Sequence, residues 1–348
     1  MTAETAKIAI YGAGAMGTVL GALLTKGGLK NVHLISRNLS HVHGLNENGA
    51  QIECVADKIT LNIPVTAKTP DEMDEQYDVV FLMTKQRDNA DILRSLLPKL
   101  KADSVVCTTQ NGLPELSVAE IVGNERTYGC VCSYGANRIG GGRVEMTSCL
   151  SAMRVQVGGY QNDGKRTDFL REILSHAGKA IMSENFATAT DNLAGARWSK
   201  LTINAAFSGL SVITGLTFGE IAKRGKTKKI ALGVLRECMD VANATGVVLA
   251  PMQGKDMQKL LGGRGFFQTQ FALFALPFAM KRHKKLKSGM LKDVLDGKRC
   301  EIDFLNGVVC KVGASVGVET PLCQTIVELT HSIENGLHEI TPKNVDFF

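Results

Sequence analysis

The chain has 348 residues, of which 44% are hydrophobic and 21% are charged, and its formal net charge is +6. The length allows two domains with sizeable cores, and the composition is that of an ordinary soluble protein. A membrane-spanning protein is excluded because no apolar run reaches ~18 residues. A disulfide framework is excluded because the nine cysteines are scattered without one.

Residues 1–7 contain no apolar segment of the kind that a signal peptide needs. We therefore expect a cytoplasmic enzyme with reduced thiols and no metal site. Two basic runs, 223–229 and 281–287, carry much of the positive charge. No aromatic residues alternate with their lysines, so we interpret both as solvated surface and expect neither a nucleic acid nor a membrane as partner. Their field would steer anionic substrates toward the protein.

The first predicted elements flank a glycine-rich turn in the stretch KIAIYGAGAMGTVLG. Residues 8–11 are short, apolar and β-branched, as in a buried parallel strand, and the residues that follow the turn are apolar at helical spacing. Gly12 would allow a tight turn, Gly14 the close approach of a pyrophosphate, and Gly17 close packing of helix on strand. A bland glycine turn is the alternative, but the order of strand, turn and helix favours dinucleotide binding.

The start of that first helix and the end of the second strand indicate which dinucleotide is bound. The N–H groups of Ala15, Met16 and Gly17 would face the phosphates at the helix N-terminus. The second strand, 32–35, is followed by Ser-Arg-Asn, with no carboxylate to bond a ribose 2′-hydroxyl. Arg37 could instead meet a 2′-phosphate, so the sequence favours NADPH. The alternative is a surface arginine with no such partner.

Strand and helix signals then alternate as far as about residue 185, which predicts parallel strands with crossover helices. Two later strands, within 77–85 and 103–112, end in the polar residues Lys85, Gln110 and Asn111. Ligands bind at the carboxyl ends of such strands, so we expect these three residues to contact the cofactor. We predict a dinucleotide-binding α/β domain over residues 1–185 and a helical domain over 186–348.

A helix predicted within 192–215 carries a polar stripe on an apolar surface. Lys200, Asn204 and Ser208 are spaced four residues apart, so they share one face. A partly desolvated lysine there is suited to donate a proton near neutral pH. Spacing alone leaves open the alternative that the stripe is the solvent-exposed face and that Lys200 reaches into water.

A later helix is predicted within 299–313, and Glu301 stands at its start beside apolar residues. If it faced Lys200, this glutamate could orient the lysine and hydrogen-bond a substrate hydroxyl. A glutamate that merely favours the positive end of the helix is an equal alternative.

Five motifs in this chain are similar to those of the ketopantoate reductases (2-dehydropantoate 2-reductases), in the order that the family has them. They are GAGAMG at 12–17, MTK ending in Lys85, QNG at 110–112, WSKLTIN at 198–204 and CEIDFLNG at 300–307. The resemblance implies an α/β N-terminal Rossmann domain, an all-α C-terminal domain and NADPH as cofactor.

The resemblance also implies roles for residues that the patterns had singled out. Lys200 would be the general acid that protonates the keto oxygen, and Glu301 its catalytic partner. Asn204 would contact substrate, and we assign Ser208 and Asn111 to the substrate as well. Asn111 and Lys85 would lie beside the nicotinamide half of the cofactor. Arg37 would bind the 2′-phosphate.

The chain departs from the family pattern on the substrate side. Ser208 stands where the family often has a second asparagine. Gly289 stands where the family commonly has a carboxylate-binding serine, with Ser288 one residue earlier as our candidate for that role. Residues 262–287 look like extra length, and their apolar part could be core, a lid over the substrate or a dimer contact. We predict the lid, with Phe271 and Phe274 limiting the size of the 2-oxoacid side chain.

These observations predict an NADPH-dependent reductase of a 2-oxoacid, above all 2-dehydropantoate on the path to pantothenate. Reduction of another branched or aromatic 2-oxoacid is an alternative. A non-catalytic NADPH-binding sensor is another, but it would not need both Lys200 and Glu301.

Overall fold

The computed structural model describes residues 2–161, 163–252 and 254–348, apart from the side chain of Arg282. The chain divides into two compact units. The first comprises residues 1–110 and 114–193, and the second comprises Asn111–Leu113 together with 194–348. Our sequence boundary at residue 185 lies before the last strand of the first unit, which still pairs in its large sheet.

The first unit is built on an eight-stranded sheet in the order β5-β2-β1-β6-β7-β8-β11-β12. All neighbours are parallel except β8 and β11. The strands of the unit are β1 Ile8–Tyr11, β2 Val32–Ile35, β3 Ala50–Cys54, β4 Ile59–Ile63, β5 Thr66–Lys68, β6 Tyr77–Leu82, β7 Leu100–Thr108, β8 Thr127–Cys132, β9 Ala136–Gly140, β10 Arg143–Met146, β11 Val155–Gly159 and β12 Ala187–Ala189. The order of the strands reverses between β1 and β6, which is the place where doubly wound sheets bind ligands.

The sheet is buried on both faces because successive residues of a strand point to opposite sides. Ile8 and Ile10 of β1 enter one core, and Ala9 and Tyr11 enter the other. The helices of this unit are α1 Ala15–Lys26, α2 Leu39–Asn48, α3 Asn89–Leu96, α4 Glu115–Val122 and α5 Thr167–Ala180. The first core includes α1 and α5, and the second includes α3 and α4.

A second, four-stranded sheet in the order β4-β3-β10-β9 also belongs to this unit. Our sequence analysis expected simple alternation of strands and helices and did not predict it. Strand β3 pairs in parallel with β10, from a distant part of the chain, so a local pattern gives no sign of the pairing.

The second unit is helical, with an apolar core of its own. Its helices are α6 Leu193–Ile203, α7 Gly209–Thr214, α8 Phe218–Lys223, α9 Gly225–Ala244, α10 Met257–Leu261, α11 Phe266–Ala279, α12 Gly289–Leu295, α13 Ile302–Ser315 and α14 Pro321–Glu334. A π-helical turn, Asn204–Ser208, links α6 to α7. The predicted fold class, an α/β domain followed by an all-α domain, is confirmed. Within the described ranges, no helix has the length and hydropathy needed to cross a membrane.

Candidate active site

The glycine-rich turn joins β1 to α1 at the point where the strand order reverses, and its three glycines differ in how closely the rest of the protein packs on them. Gly12 has φ of +101°, and a Cβ there would lie 2.6 Å from the backbone nitrogen of Thr84. A Cβ on Gly17 would lie 2.5 Å from the carbonyl oxygen of Gly12 and 3.3 Å from the side chain of Ile10, so α1 packs tightly on the end of β1 and the turn that follows it. A Cβ on Gly14 would meet no other part of the protein closer than 3.9 Å.

Gly14 is therefore a glycine that the protein's own packing does not require. It is the N-cap of α1, with a negative φ and no side-chain cap, and the first turn of the helix carries no acidic residue. Ala15 and Met16 in that turn are half-buried. A helix N-terminus left open in this way suits an anion such as a dinucleotide pyrophosphate, which approaches closest where a side chain is missing.

Arg37 lies just beyond the end of β2, where the 2′-phosphate contact was predicted. Its side chain is 70% exposed, and one guanidinium nitrogen lies 2.9 Å from Oδ2 of Asp88. Asp88 is on the loop that follows β6 and also lies near Arg87. The carboxylate holds the arginine beside the segment that follows β6 but also competes with any phosphate for it.

Lys85 and Gln110 occupy the loops after β6 and β7. Lys85 is half-buried and directly follows Thr84, the residue against which Gly12 packs. Gln110 is buried, and its amide donates to the carbonyl of Thr84 at 2.9 Å and to Oδ1 of Asn89 at 2.7 Å. Its oxygen accepts from the hydroxyl of Thr108 at 2.9 Å. Gln110 therefore ties three cofactor-side segments together, and its predicted contact with the cofactor stays a prediction.

In the second unit, the predicted polar stripe lies along the run from α6 through the π-turn to α7. Lys200 and Asn204 are half-buried, and Ser208, the last residue of the π-turn, is buried. The neighbouring hydroxyl of Ser199 donates to the carbonyl of Ala250 at 2.7 Å and anchors α6 beside the lysine. Lys200 is thus not on a fully exposed face, which favours the functional interpretation of the stripe.

Ser288 is the N-cap of α12 and is buried. Its hydroxyl accepts the N–H of Met290 at 3.1 Å, and its own N–H donates to the hydroxyl of Ser211 in α7 at 3.2 Å. Gly289 is exposed, and a Cβ there would meet nothing within 4 Å. The Ser288 hydroxyl therefore accepts one helix-capping bond, and its own proton can still be donated to a substrate.

Glu301 is half-buried and immediately precedes α13, where its carbonyl accepts the N–H of Phe304 at 3.1 Å. The preceding residue is fixed by Glu334 of α14, whose Oε1 accepts the N–H of Cys300 at 2.7 Å. Burial opposes ionisation of Glu334, but the hydrogen bonds from Cys300 and the contact with His331 outweigh it and lower the pKa of Glu334. A carboxylate at neutral pH therefore holds the backbone beside Glu301.

Asn111 is exposed and belongs, with Gly112 and Leu113, to the second unit, although the residues on either side of these three belong to the first. Leu113 packs against the helical core. Asn111 directly follows the buried Gln110, which belongs to the first unit.

Two hydrogen bonds bring the predicted second-unit residues into one framework. The bond from Ser288 to Ser211 joins α12 to α7, and the amide of Asn306 in α13 donates to the carbonyl of Ala205 in the π-turn at 3.1 Å. Sequence reasoning missed Asn306, Ser211 and Asn89. For Asn306 a signal existed, because it is the asparagine of the CEIDFLNG motif.

Comparison with known proteins identifies a family for both parts of the chain. The family described as "Ketopantoate reductase PanE/ApbA" matches residues 8–159, and that described as "Ketopantoate reductase PanE/ApbA C terminal" matches residues 192–334. These ranges include every residue that we singled out for the site.

Individual proteins resemble the chain over nearly its whole length. A 2-dehydropantoate 2-reductase of Pyrococcus horikoshii is 28% identical over 319 residues, which cover 91% of this chain and 93% of that protein. The crystal structure of 2-dehydropantoate 2-reductase from Geobacter metallireducens matches with a TM-score of 0.76 at 27% identity, covering 93% of this chain and 99% of that one. A ternary structure of D-mandelate dehydrogenase with NADH and anilino(oxo)acetate shares the fold, with a TM-score of 0.78 at 24% identity over 95% and 98% of the two chains.

The contrast between Gly14 and Gly17 yields a prediction about the glycine turn. Gly14→Ala should weaken NADPH binding at least tenfold, because the added methyl group occupies the space that a pyrophosphate needs. It should change the melting temperature little, because the nearest protein atom is 3.9 Å away. Isothermal titration with NADPH and a thermal melt measure the two effects.

Gly17→Ala is the matched control, because the same methyl group would there press on the carbonyl of Gly12. We expect this variant to lose thermal stability first. Unchanged NADPH affinity in Gly14→Ala would show that the turn does not hold the pyrophosphate.

Proposed function

Because this chain belongs to the ketopantoate reductase family, we propose that it reduces 2-dehydropantoate to pantoate with NADPH, and that Lys200 is the general acid. The observation that carries the proposal is the matching of both halves of the chain to that family, with Lys200 and Glu301 inside the second match. The open N-terminus of α1 at Gly14 supports the cofactor. The two polar bonds that join α7 and the π-turn to α12 and α13 support the catalytic residues.

Reduction of a 2-oxoacid needs a hydride at the keto carbon and a proton at the keto oxygen. NADPH, when bound, supplies the hydride. Nζ of Lys200 donates the proton to the oxygen as negative charge develops there, and its positive charge stabilises that oxygen before the transfer. The carboxylate of Glu301 orients the lysine. Asn204, Ser208 and Ser288 bind the polar groups of the substrate.

The cofactor residues act by positioning. In our proposal the N–H groups of α1 from Ala15 onward hold the pyrophosphate, and Arg37 binds the 2′-phosphate. Lys85 and Asn111 contact the nicotinamide half. Gln110 acts through the segments that it joins, because its amide is bonded to Thr84 and Asn89.

Steady-state kinetics test the proposal most simply. NADPH oxidation is followed with 2-dehydropantoate and with a panel of branched and aromatic 2-oxoacids. We expect the highest kcat/KM for 2-dehydropantoate. A higher value for another acid would assign a different substrate to the same chemistry, and NADPH binding without turnover of any acid would contradict a reductase.

Lys200→Ala should lower kcat by ~10²–10⁴, the usual range for loss of a positioned acid, with NADPH affinity nearly unchanged. Glu301→Gln should also lower kcat strongly. If the two residues act as one unit, the double variant is little worse than the worse single variant.

Lys223→Ala is the control for these variants, because Lys223 is an exposed lysine in the same helical unit. Near-normal turnover in Lys200→Ala would remove that lysine from the mechanism. Fully additive losses in the double variant would argue that Glu301 acts separately.

Arg37→Ala should weaken NADPH binding by roughly 1.5–3 kcal/mol, the range for charge-assisted hydrogen bonds, and leave NADH binding unchanged. Asp88→Asn should tighten NADPH binding, because it removes the carboxylate that competes for the guanidinium. Titration of each variant with both cofactors measures these effects.

Arg143→Ala offers a matched control, because Arg143 also pairs with a surface carboxylate of the same unit, that of Glu53 at 2.6 Å. Equal losses of affinity for NADPH and NADH in Arg37→Ala would mean that this arginine supports the loop rather than binding the 2′-phosphate.

We also propose that two copies of this chain form a homodimer through α11. Five phenylalanines of this helix are 55–85% exposed: Phe266, Phe267, Phe271, Phe274 and Phe278. Its opposite face is buried in the helical core, through Ala272, Leu273 and Leu276. The interpretation of the stretch as core is thus right for this inner face and wrong for the phenylalanines, and the lid interpretation stays a prediction.

The size and chemistry of this phenylalanine surface favour a second copy. Phenylalanines can bury roughly 150–250 Å² each, so five at this exposure offer about 700 Å², close to the ~800 Å² per partner of a stable interface. Residues 266–280 contain no charged side chain, as in the core of an interface. Arg236 donates to the carbonyls of Leu261 and Gly263, which precede the helix, and to the hydroxyl of Thr269 within it, so the surface is held in place.

The double variant Phe271→Asp/Phe274→Asp should convert a dimer into a monomer, because charged groups cannot be buried in an apolar contact. Light scattering after gel filtration measures the mass. Leu337→Asp is the control, because Leu337 is more exposed than either phenylalanine but lies outside α11.

A wild-type chain that remains monomeric at high micromolar concentration would contradict the homodimer. A double variant that stays dimeric would show that the dimer contact does not depend on these two phenylalanines. A dimer with altered preference in the 2-oxoacid panel would support the lid.

A further inference from the structure

The helix that carries Lys200 is not a regular α-helix. It widens into a π-turn over Asn204–Ser208 before α7 begins. π-turns are rare and occur often at functional sites, because they shift side chains relative to a continuous α-helix. This turn contains two of the three residues of the polar stripe, Asn204 and Ser208, and begins four residues after Lys200.

The π-turn keeps the stripe in line. In an α-helix of 3.6 residues per turn, residues four apart are rotated about the helix axis by slightly more than a full turn. A second step of four residues doubles this excess rotation. A π-turn takes more residues per turn, so its four-residue step falls short instead. In ideal helix geometry, the shortfall from Asn204 to Ser208 offsets the excess from Lys200 to Asn204, so the three positions return to nearly one line.

Asn306 of α13 is wedged against this turn from outside. It is fully buried, and its Nδ2 donates to the carbonyl oxygen of Ala205, inside the turn, at 3.1 Å. Its Oδ1 lies against Gly209, the first residue after the turn, where a Cβ would come within 2.8 Å of that oxygen. One amide group thus contacts both the interior and the exit of the π-turn.

Packing alone does not explain an asparagine at this position. Among the described residues, Oδ1 of Asn306 is a buried oxygen without a hydrogen-bond partner, and such an atom destabilises a fold. An apolar side chain of similar volume would avoid that cost. The hydrogen bond from its Nδ2 to the carbonyl of Ala205 in the π-turn accounts for an asparagine at this position.

We propose that Asn306 is a positioning residue that holds the π-turn and thereby aligns Lys200, Asn204 and Ser208. The same helix begins directly after Glu301, so the amide also fixes the register between the two helices that carry the proposed acid and its partner. This inference rests on the proposed reductase function as regards catalysis, but not as regards the geometry of the turn.

A second buried asparagine provides a matched control. Asn344 donates its amide to the carbonyl of Ile213 in α7 at 2.8 Å and to the carbonyl of Glu339 at 2.8 Å. Asn344→Ala therefore removes a buried bond to the same helical run, but beyond the π-turn. We expect both Asn306→Ala and Asn344→Ala to lower the melting temperature.

The two variants should differ in three measurements. Asn306→Ala should lower kcat up to ~100-fold through misplacement of the catalytic groups, shift the pH profile of kcat and leave the NADPH dissociation constant unchanged. It should also change amide hydrogen exchange at residues 204–209. Asn344→Ala should change none of these.

Equal kcat losses in both variants, or unchanged exchange at residues 204–209 in Asn306→Ala, would overturn the proposal. The exchange measurement needs no substrate. If the wild-type chain reduces no 2-oxoacid, the proposed function fails, while exchange still decides whether Asn306 holds the turn.

Discussion

The cofactor side of this protein depends on one backbone contact. The carbonyl oxygen of Gly12 lies 2.5 Å from where a side chain at Gly17 would begin, so α1 can pack on β1 only without that side chain. This contact fixes the N-terminus of α1 at the carboxyl edge of the sheet, where the strand order reverses. Gly14, which the packing does not require, then leaves room for a phosphate group.

The helical unit achieves a similar fixation with polar groups. The run from α6 to α7 is bonded to α12 through Ser211 and Ser288, and to α13 through Ala205 and Asn306. Buried polar bonds are directional, so they set helix register more sharply than apolar contacts do. In our proposal this matters because Lys200 and Glu301 lie on different helices and must meet one small substrate.

Local patterns in the sequence were sufficient to predict much of this structure. The first two strands, Ile8–Tyr11 and Val32–Ile35, match their predicted bounds, because a short buried strand followed by a glycine turn has few alternatives. Glu301 stands at the start of a helix as predicted. Features that arise from distant contacts were not predictable, such as the pairing of β3 with β10.

The missed features of the site have physical reasons too. No residue pattern signals a π-turn, so the stripe was predicted on a continuous α-helix. Asn306 interrupts the apolar stripe of its own helix, and only its partner Ala205, about a hundred positions away, explains it. Gln110 was assigned to the cofactor from its place at a strand end, and that assignment stays a prediction. The local sequence carries no sign of the bonds that its amide makes to Thr84 and Asn89. The exposure of Phe271 and Phe274 depends on which face of α11 packs against the core of the helical unit.

In our proposal, this chain transfers a hydride from NADPH to the keto carbon of 2-dehydropantoate. The most direct measurement uses NADPH deuterated at both C4 positions and determines the mass of the pantoate formed. We expect one deuterium at C2 of the product, with one NADPH oxidised for each pantoate formed. Oxidation of the cofactor without deuterium in the product, or binding of the cofactor without any product, would contradict the claim.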